Sequence, residues 1–313
     1  MWNHPRMTLY LFLEQTLNGI QLGVMLFLMA AGLTLIFGIM NLINLAHGSF
    51  YMIGAFVTAY IAHLTGSFVL GVLVALPVSA AIGMAAEMIA LRRLYARDHL
   101  DQVLATFGLI LFFNEMTKII WGAQARFLKL PDFLQGSVEI FPGVPYPVYR
   151  LAVIVVGLLV ALLLRQLIVG TKTGMLIRAG ATNREMVGAL GVDIDRLYTI
   201  VFGLGALLAG LAGAMAGPIL AIEVGMGENI LILTFVVIIV GGIGSVRGAL
   251  FGALVVGLVD TYGRAFLPTF LRQIFTDPSV ADGVGASLSS MSIYILMAIV
   301  LIIRPRGLFQ AYG

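Results

Sequence analysis

LTLIFGIMNLINLAHGSFYMIGAF, residues 33–56, is an apolar run with a polar break at its centre. Asn41, Asn44, His47, Gly48 and Ser49 interrupt residues that would otherwise form one long greasy helix. Amides, an imidazole and a glycine are costly inside hydrocarbon unless protein or water surrounds them. The break therefore marks either a place where a helix unwinds inside an assembly or a turn at the membrane edge.

The rest of the chain sets the solvent for this stretch. Of 313 residues, 60% are hydrophobic and only 11% charged, and mean hydropathy is +1.05. Soluble domains carry about 25% charged residues, so lipid must cover much of the exterior. The net charge of +3 is the excess expected of basic cytoplasmic loops, and nucleic acid is excluded as a partner. With no cysteine, disulfides, thiolate catalysis and cysteine metal sites are excluded. Arg6 precedes an apolar stretch that Glu14 interrupts and no cleavage pattern follows, so the N-terminal segment reads as retained.

A bilayer core needs about 20 apolar residues per helix. Residues 20–40, 68–91, 103–121, 148–167 and 198–222 satisfy this, and 292–303 closes the series unless it starts earlier. Segments 50–64, 230–240 and 249–259 are short, the last two separated by GGIGSVRG. No alternation supports a barrel. The expectation is an all-α polytopic membrane protein forming a single transmembrane domain. It has about eight to nine helices, two of them discontinuous or re-entrant, at 41–49 and 241–245. HGSFYMIGAF and VRGALFGALV read as faint remnants of one repeat.

Lys and Arg set the orientation. Arg92, Arg93 and Arg97, then Arg165, Lys172, Arg178, Arg184 and Arg196, then Arg304 and Arg306 fall on one side if the N-terminus is outside. Loops at about 122–147 and 263–290 then face out, with Arg126, Lys129, Arg264 and Arg272 as exceptions.

The polar segment 170–197 is too long for a turn. Thr182 with Glu185 has the spacing of a capping box and predicts a short helix from Asn183 that Gly191 ends. Met186, Val187, Ala189, Leu190 and Val192 give it an apolar side. Such a helix docks into a partner's groove or packs on its own bundle. Gly205, Ala209, Gly213 and Gly217 recur every fourth residue, as do Gly244, Gly248 and Gly252, and predict close helix packing. Glu115 and Lys118 read as a structural pair beside Asn114, and Asp260 pairs with Arg264. Glu223 and Glu228 read as solvated charges at the outer mouth.

Four stretches are familiar together. GLTLIFGIMNLINLAHGSFYMIGAF, RAGATNREMVGALGV, FVVIIVGGIGSVRGALFGALVVG and IRPRGLF resemble the permeases of branched-chain amino acid ABC importers. The likeness is closer to the LivH-type subunit than to its LivM-type partner and runs from Ile20 to Phe309. The resemblance implies that 181–189 is the segment docking on an ATPase. Gly188 stands in the family's glycine position there, and Ala181, Thr182, Arg184, Glu185, Met186, Leu190 and Gly191 belong to the same segment. It also implies a LivM-type second permease, two ABC ATPase subunits, a periplasmic binding protein and a bacterial inner membrane. The chain itself would need no cofactor, with ATP and magnesium on the ATPases; no G-x-x-x-x-G-K-[ST] occurs in it.

On this reading Asn41, Asn44, His47, Gly48, Ser49, Gly241, Gly242, Gly244 and Ser245 line the route of a zwitterionic solute. Relatives carry leucine, isoleucine and valine, but also urea, short amides and carboxylic acids. Polar groups that merely fasten helix to helix are the competing reading. A stand-alone secondary transporter would need buried acidic residues, of which only Glu115 is a candidate. An intramembrane enzyme finds no H-E-x-x-H and no cysteine.

Overall fold

A computed structural model describes residues 5–95, 97–141 and 144–309. The described residues form eleven helices, α1 (Pro5–Met40), α2 (His47–Thr65), α3 (Phe68–Ala86), α4 (His99–Trp121), α5 (Val148–Gly170), α6 (Lys172–Thr182), α7 (Arg184–Ala189), α8 (Ile194–Ala216), α9 (Met226–Gly241), α10 (Val246–Leu271) and α11 (Pro278–Ile303). Seven are long and apolar enough to cross a membrane, so this is a multi-pass, all-α membrane protein. α2, with 19 residues, and α9, with 16, complete a set of nine.

Helix ends follow local chemistry. α1 stops where Asn41 takes a positive φ of 51°, a conformation that asparagine tolerates better than most residues. Ser67, Thr171, Asp193, Ser245 and Asp277 each accept a backbone N–H at the start of a helix. α1 and α8 form the axis: both are largely buried, α1 lies along α10, and α2 and α3 lie along α8.

Small residues set these crossings. Gly205 meets Gly32 and Ile36, Gly213 meets the carbonyl of Tyr51, and Ala209 is fully buried. Gly217 lies just past the helix, against Ile222 and Leu128. Gly248 packs on Gly241, and Gly252 on Gly241 and the Val237 carbonyl. Gly244 does not join that stripe, because α10 starts two residues later and Gly244 is a turn residue with φ 83°.

Four expectations need correcting. Segment 249–259 is part of a continuous 26-residue helix, α10, capped by Ser245. Segment 263–290 is mostly helical, with only 272–277 between α10 and α11. Its serines look loop-like, but Ser287, Ser289 and Ser290 return their hydroxyls to carbonyls one turn back, which hides their polarity. The loop 122–147 contains an antiparallel hairpin, β1 (Ser137–Phe141) with β2 (Val144–Pro147). Finally, α10 starts at the bundle end with a side-chain cap while α2 starts inside without one, so the two repeat-like segments occupy different settings.

Arg92, Arg93, the turn between α5 and α6, the start of α8 and Arg304–Arg306 gather at one end of the bundle, called here the basic end.

Candidate pathway and coupling site

The first break is re-entrant. His47 Nε2 lies 3.2 Å from the carbonyl of Met29, eleven residues before the end of α1, or about 16 Å along the helix axis. Residues 41–46 therefore run back from the basic end alongside α1, and α2 begins at half-height. The His47 ring adjoins Gly32, which packs on Gly205 at the midpoint of α8.

A second return comes from the opposite end. α8 stops at Ala216, and Ile222 pairs with Arg126 of the loop 122–147. The chain then descends until the Gly225 N–H meets Met52 Sδ at 3.4 Å. α9 starts at Met226, with the backbone of Gly227 in direct contact with that of Gly48. The positive φ of Gly225, 88°, makes that entry possible. Two helix N-termini thus meet inside the bundle, where irregular backbone is tolerated only if protein covers it.

Side chains at this junction are short of partners. Asn44 and His47 are fully buried, and neither polar atom of the Asn44 amide nor His47 Nδ1 has a hydrogen-bond partner among the described residues. Thr34 Oγ1 is a third such group. Polar groups serving only as fasteners would be paired, since nearly all buried polar groups are. Gly48 and Ser49 lie in the first turn of α2 and are buried, and Asn41 is exposed at the basic end.

The expected second break sits elsewhere. Gly242 and Gly244, with φ of 109° and 83°, form the turn from α9 to α10 at the basic end. The tail covers it: Leu308 and Phe309 donate to the carbonyls of Val240 and Gly241, both at 2.9 Å. Segment 230–240 looks short because α9 begins within the bundle, and the true partner of the first break is 217–225. Glu228 accordingly is no loop charge; it lies in the first turn of α9 and accepts from Asn114 at 2.7 Å. Glu115 pairs with Lys118 at 2.6 Å and Asp260 with Arg264 at 2.9 Å.

At the basic end the sequence-distant candidates converge. A cavity of about 450 Å³ is lined by Gly38 and Asn41, by Ala181, Thr182, Arg184 and Glu185, and by Gly244. α7 borders it, but its cap is one residue later than the capping-box pattern predicts. Thr182 ends α6 and returns its hydroxyl to Arg178, while the Asn183 side chain accepts from the Met186 N–H at 2.9 Å. Gly191, with φ 86°, closes the segment. Val187 is buried, and Met186 and Leu190 point outward, 58% and 77% exposed. They are one turn apart on a surface patch. Asn183→Ala is expected to cost α7 about 1 kcal/mol, read as roughly fivefold faster hydrogen exchange at the Met186–Leu190 amides.

One cluster escapes the sequence reading. Glu87 has no exposed surface, yet it lies in the apolar span Phe68–Leu94. The α-helix widens there into a π-turn, Glu87–Leu91, a feature frequent at functional sites. Its carboxylate accepts from Arg92 at 3.2 and 3.0 Å, from Tyr95 at 2.9 Å and from Thr199 at 2.7 Å. Tyr95 also reaches Met40 Sδ and stacks edge-on against Tyr198, whose hydroxyl reaches the Ile39 carbonyl. Burial, then the adjacent Glu87 charge, pushes the Tyr95 hydroxyl above its ordinary range, so it remains a donor. The available signal was an acidic residue in an apolar span with an arginine five residues on.

Residues 15–302 match the family described as branched-chain amino acid transport system / permease component, and the chain belongs to that family. It is 28% identical to the high-affinity branched-chain amino acid transport system permease protein LivH of Salmonella typhimurium, over 95% of each chain. It is 28% identical to the corresponding permease protein BraD of Pseudomonas aeruginosa, over 96% of each. The L-arabinose ABC transporter permease protein AraH of Azospirillum brasilense is a more distant relative, at 24% over 86% of this chain and 76% of that one. No solved structure matches the chain.

Proposed function

We propose that the chain is the LivH-type pathway subunit of an ATP-driven importer in a bacterial inner membrane. It takes branched-chain amino acids from a periplasmic binding protein and works beside a LivM-type permease. Two separate ABC ATPases bind the ATP and magnesium. The basic end then faces the cytoplasm.

The observation that carries this reading is the cavity joining Ala181–Glu185 residues to Asn41 and Gly244. A push on α7 would reach the end of α1 and the re-entrant segment without crossing any long loop. At half-height, the positive dipole ends of α2 and α9 suit a carboxylate, and Asn44 and His47 offer unused hydrogen-bonding atoms. The buried Glu87 is already ion-paired and Glu115 is exposed and paired, which counts against an ion-coupled transporter.

Charge reversal at Arg184 or Glu185 tests the coupling. In the reconstituted transporter, ATP hydrolysis is expected to continue while uptake falls at least about tenfold, with the bundle still folded. Normal coupling in both variants overturns the assignment of α7. Robust uptake by the chain alone under an ion gradient would refute ATP dependence. The substrate class is tested by thermal shifts of the cognate binding protein. Leucine, isoleucine and valine are expected to stabilise it; a response only to urea, amides or carboxylic acids would favour the alternative substrates.

A further inference from the structure

We infer that the groove between α5 and α10 at the basic end is a binding site for an anionic phospholipid of the adjoining leaflet. A cavity of about 500 Å³ opens there, with Phe27 of α1 as its floor and Leu162 and Leu250 on its walls. Arg165, Arg178 and Arg247 also line it, contributed by α5, α6 and α10. Both α5 and α10 pack on α1, so the groove lies along the side of the bundle. Leu162, Leu163 and Val169 beside it are exposed to between 54% and 60%, as lipid-facing residues are.

The charge pattern selects the occupant. None of the three arginines has a carboxylate within ion-pair distance among the described residues, so their three charges face the groove without a counter-charge from the chain. Arg178 donates to the carbonyl of Ile168, which fixes its guanidinium at the junction of α5 and α6. Leu162 lies about one turn deeper in the bundle than Arg165, and Phe27 lies at a comparable depth, near the level where Val24 meets Gly157. Cations at the rim with an apolar trough leading inward match a phosphate headgroup above an acyl chain. Basic pockets between transmembrane helices bind anionic headgroups in this way. A soluble anion would use the cations and leave the trough empty. Because Arg178 belongs to α6, the lipid would brace the segment leading to α7 against α5. The site requires only the membrane setting and holds whether or not the chain is ATP-coupled.

The test is native mass spectrometry of the full-length chain, alone and in its assembled transporter, with phosphatidylglycerol and phosphatidylcholine at equal concentration. The wild type is expected to retain phosphatidylglycerol preferentially in both forms. Each Arg→Gln change should weaken that preference about fivefold and all three together about a hundredfold. If the triple variant does not fold, the three single variants carry the same test. Arg304→Gln with Arg306→Gln, at the same end but outside the groove, should leave retention unchanged. Equal retention of both lipids, wild-type retention by the variants, or loss of the lipid on assembly would overturn the proposal. So would displacement by millimolar inorganic phosphate, which would make the groove a phosphate site.

Discussion

Gly48→Ala is expected to abolish most transport, with uptake down at least about tenfold and the unfolding midpoint lowered. A Cβ at Gly48 would strike the carbonyl of Gly227, and a Cβ at Gly227 would strike that of Gly48. Neither obstacle is a flexible side chain, so one helix N-terminus must retreat from the other. Overpacking of this kind costs about 1–3 kcal/mol. Gly227→Ala should match it. The double variant should cost less than the sum, because the first intrusion already opens the crevice for the second. Gly108→Ala is the control, since a Cβ there meets nothing within 4 Å; relief of glycine's backbone entropy should leave it neutral or more stable by about 0.5–1 kcal/mol. A Gly48→Ala chain with full uptake and unchanged melting would remove the junction from the mechanism.

The second large effect is expected at Glu87. Glu87→Ala deprives Arg92, Tyr95 and Thr199 of their common acceptor. Losing one member of a buried ion pair costs about 3–5 kcal/mol. Arg92 keeps 33% of its side-chain surface in contact with solvent, so water recovers part of this and the lower end is expected. Glu87→Gln keeps the volume and one acceptor and should fall between. The functional consequence follows from position. The cluster ties the start of α8, directly after α7, to Ile39 and Met40 at the end of α1. In the proposed ATP-driven assembly, slackening it should leave ATP hydrolysis running while uptake drops several-fold. Equal loss of both activities would mean a purely structural role, and no loss of stability would mean that the network is idle.

These predictions fall on residues of unequal visibility. The break at Asn41–Ser49 residues was visible because polar side chains in an apolar run are expensive wherever lipid surrounds them. The α7 segment was visible because Thr182, Glu185 and Gly191 sit at helix-boundary spacing, though Asn183 rather than Thr182 supplies the cap. Segment 217–225 was hidden: 217–222 read as the end of the span 198–222 and Glu223 as a charge at its mouth, whereas α8 stops at Ala216 and contacts of Gly225 with Met52 and of Gly227 with Gly48 place the return deep. Glu87 was hidden by its own neutralisation, since its partners are drawn partly from α8, more than a hundred residues away.

Family membership, the membrane setting, most spans and the starting point of the first re-entrant segment are local properties of this amino-acid order. Hydropathy over one helix length and capping chemistry over one turn depend only on near neighbours, and both are written in the chain. Depth is different. How far 41–46 climbs, and that 217–225 descends to meet it, depend on which glycines of α8 face α1, α2 and α3, a contact between segments remote in sequence. The same holds for the cavity that collects Asn41, Arg184 and Gly244. Small residues permit such approaches in many arrangements, and only the packed bundle selects one.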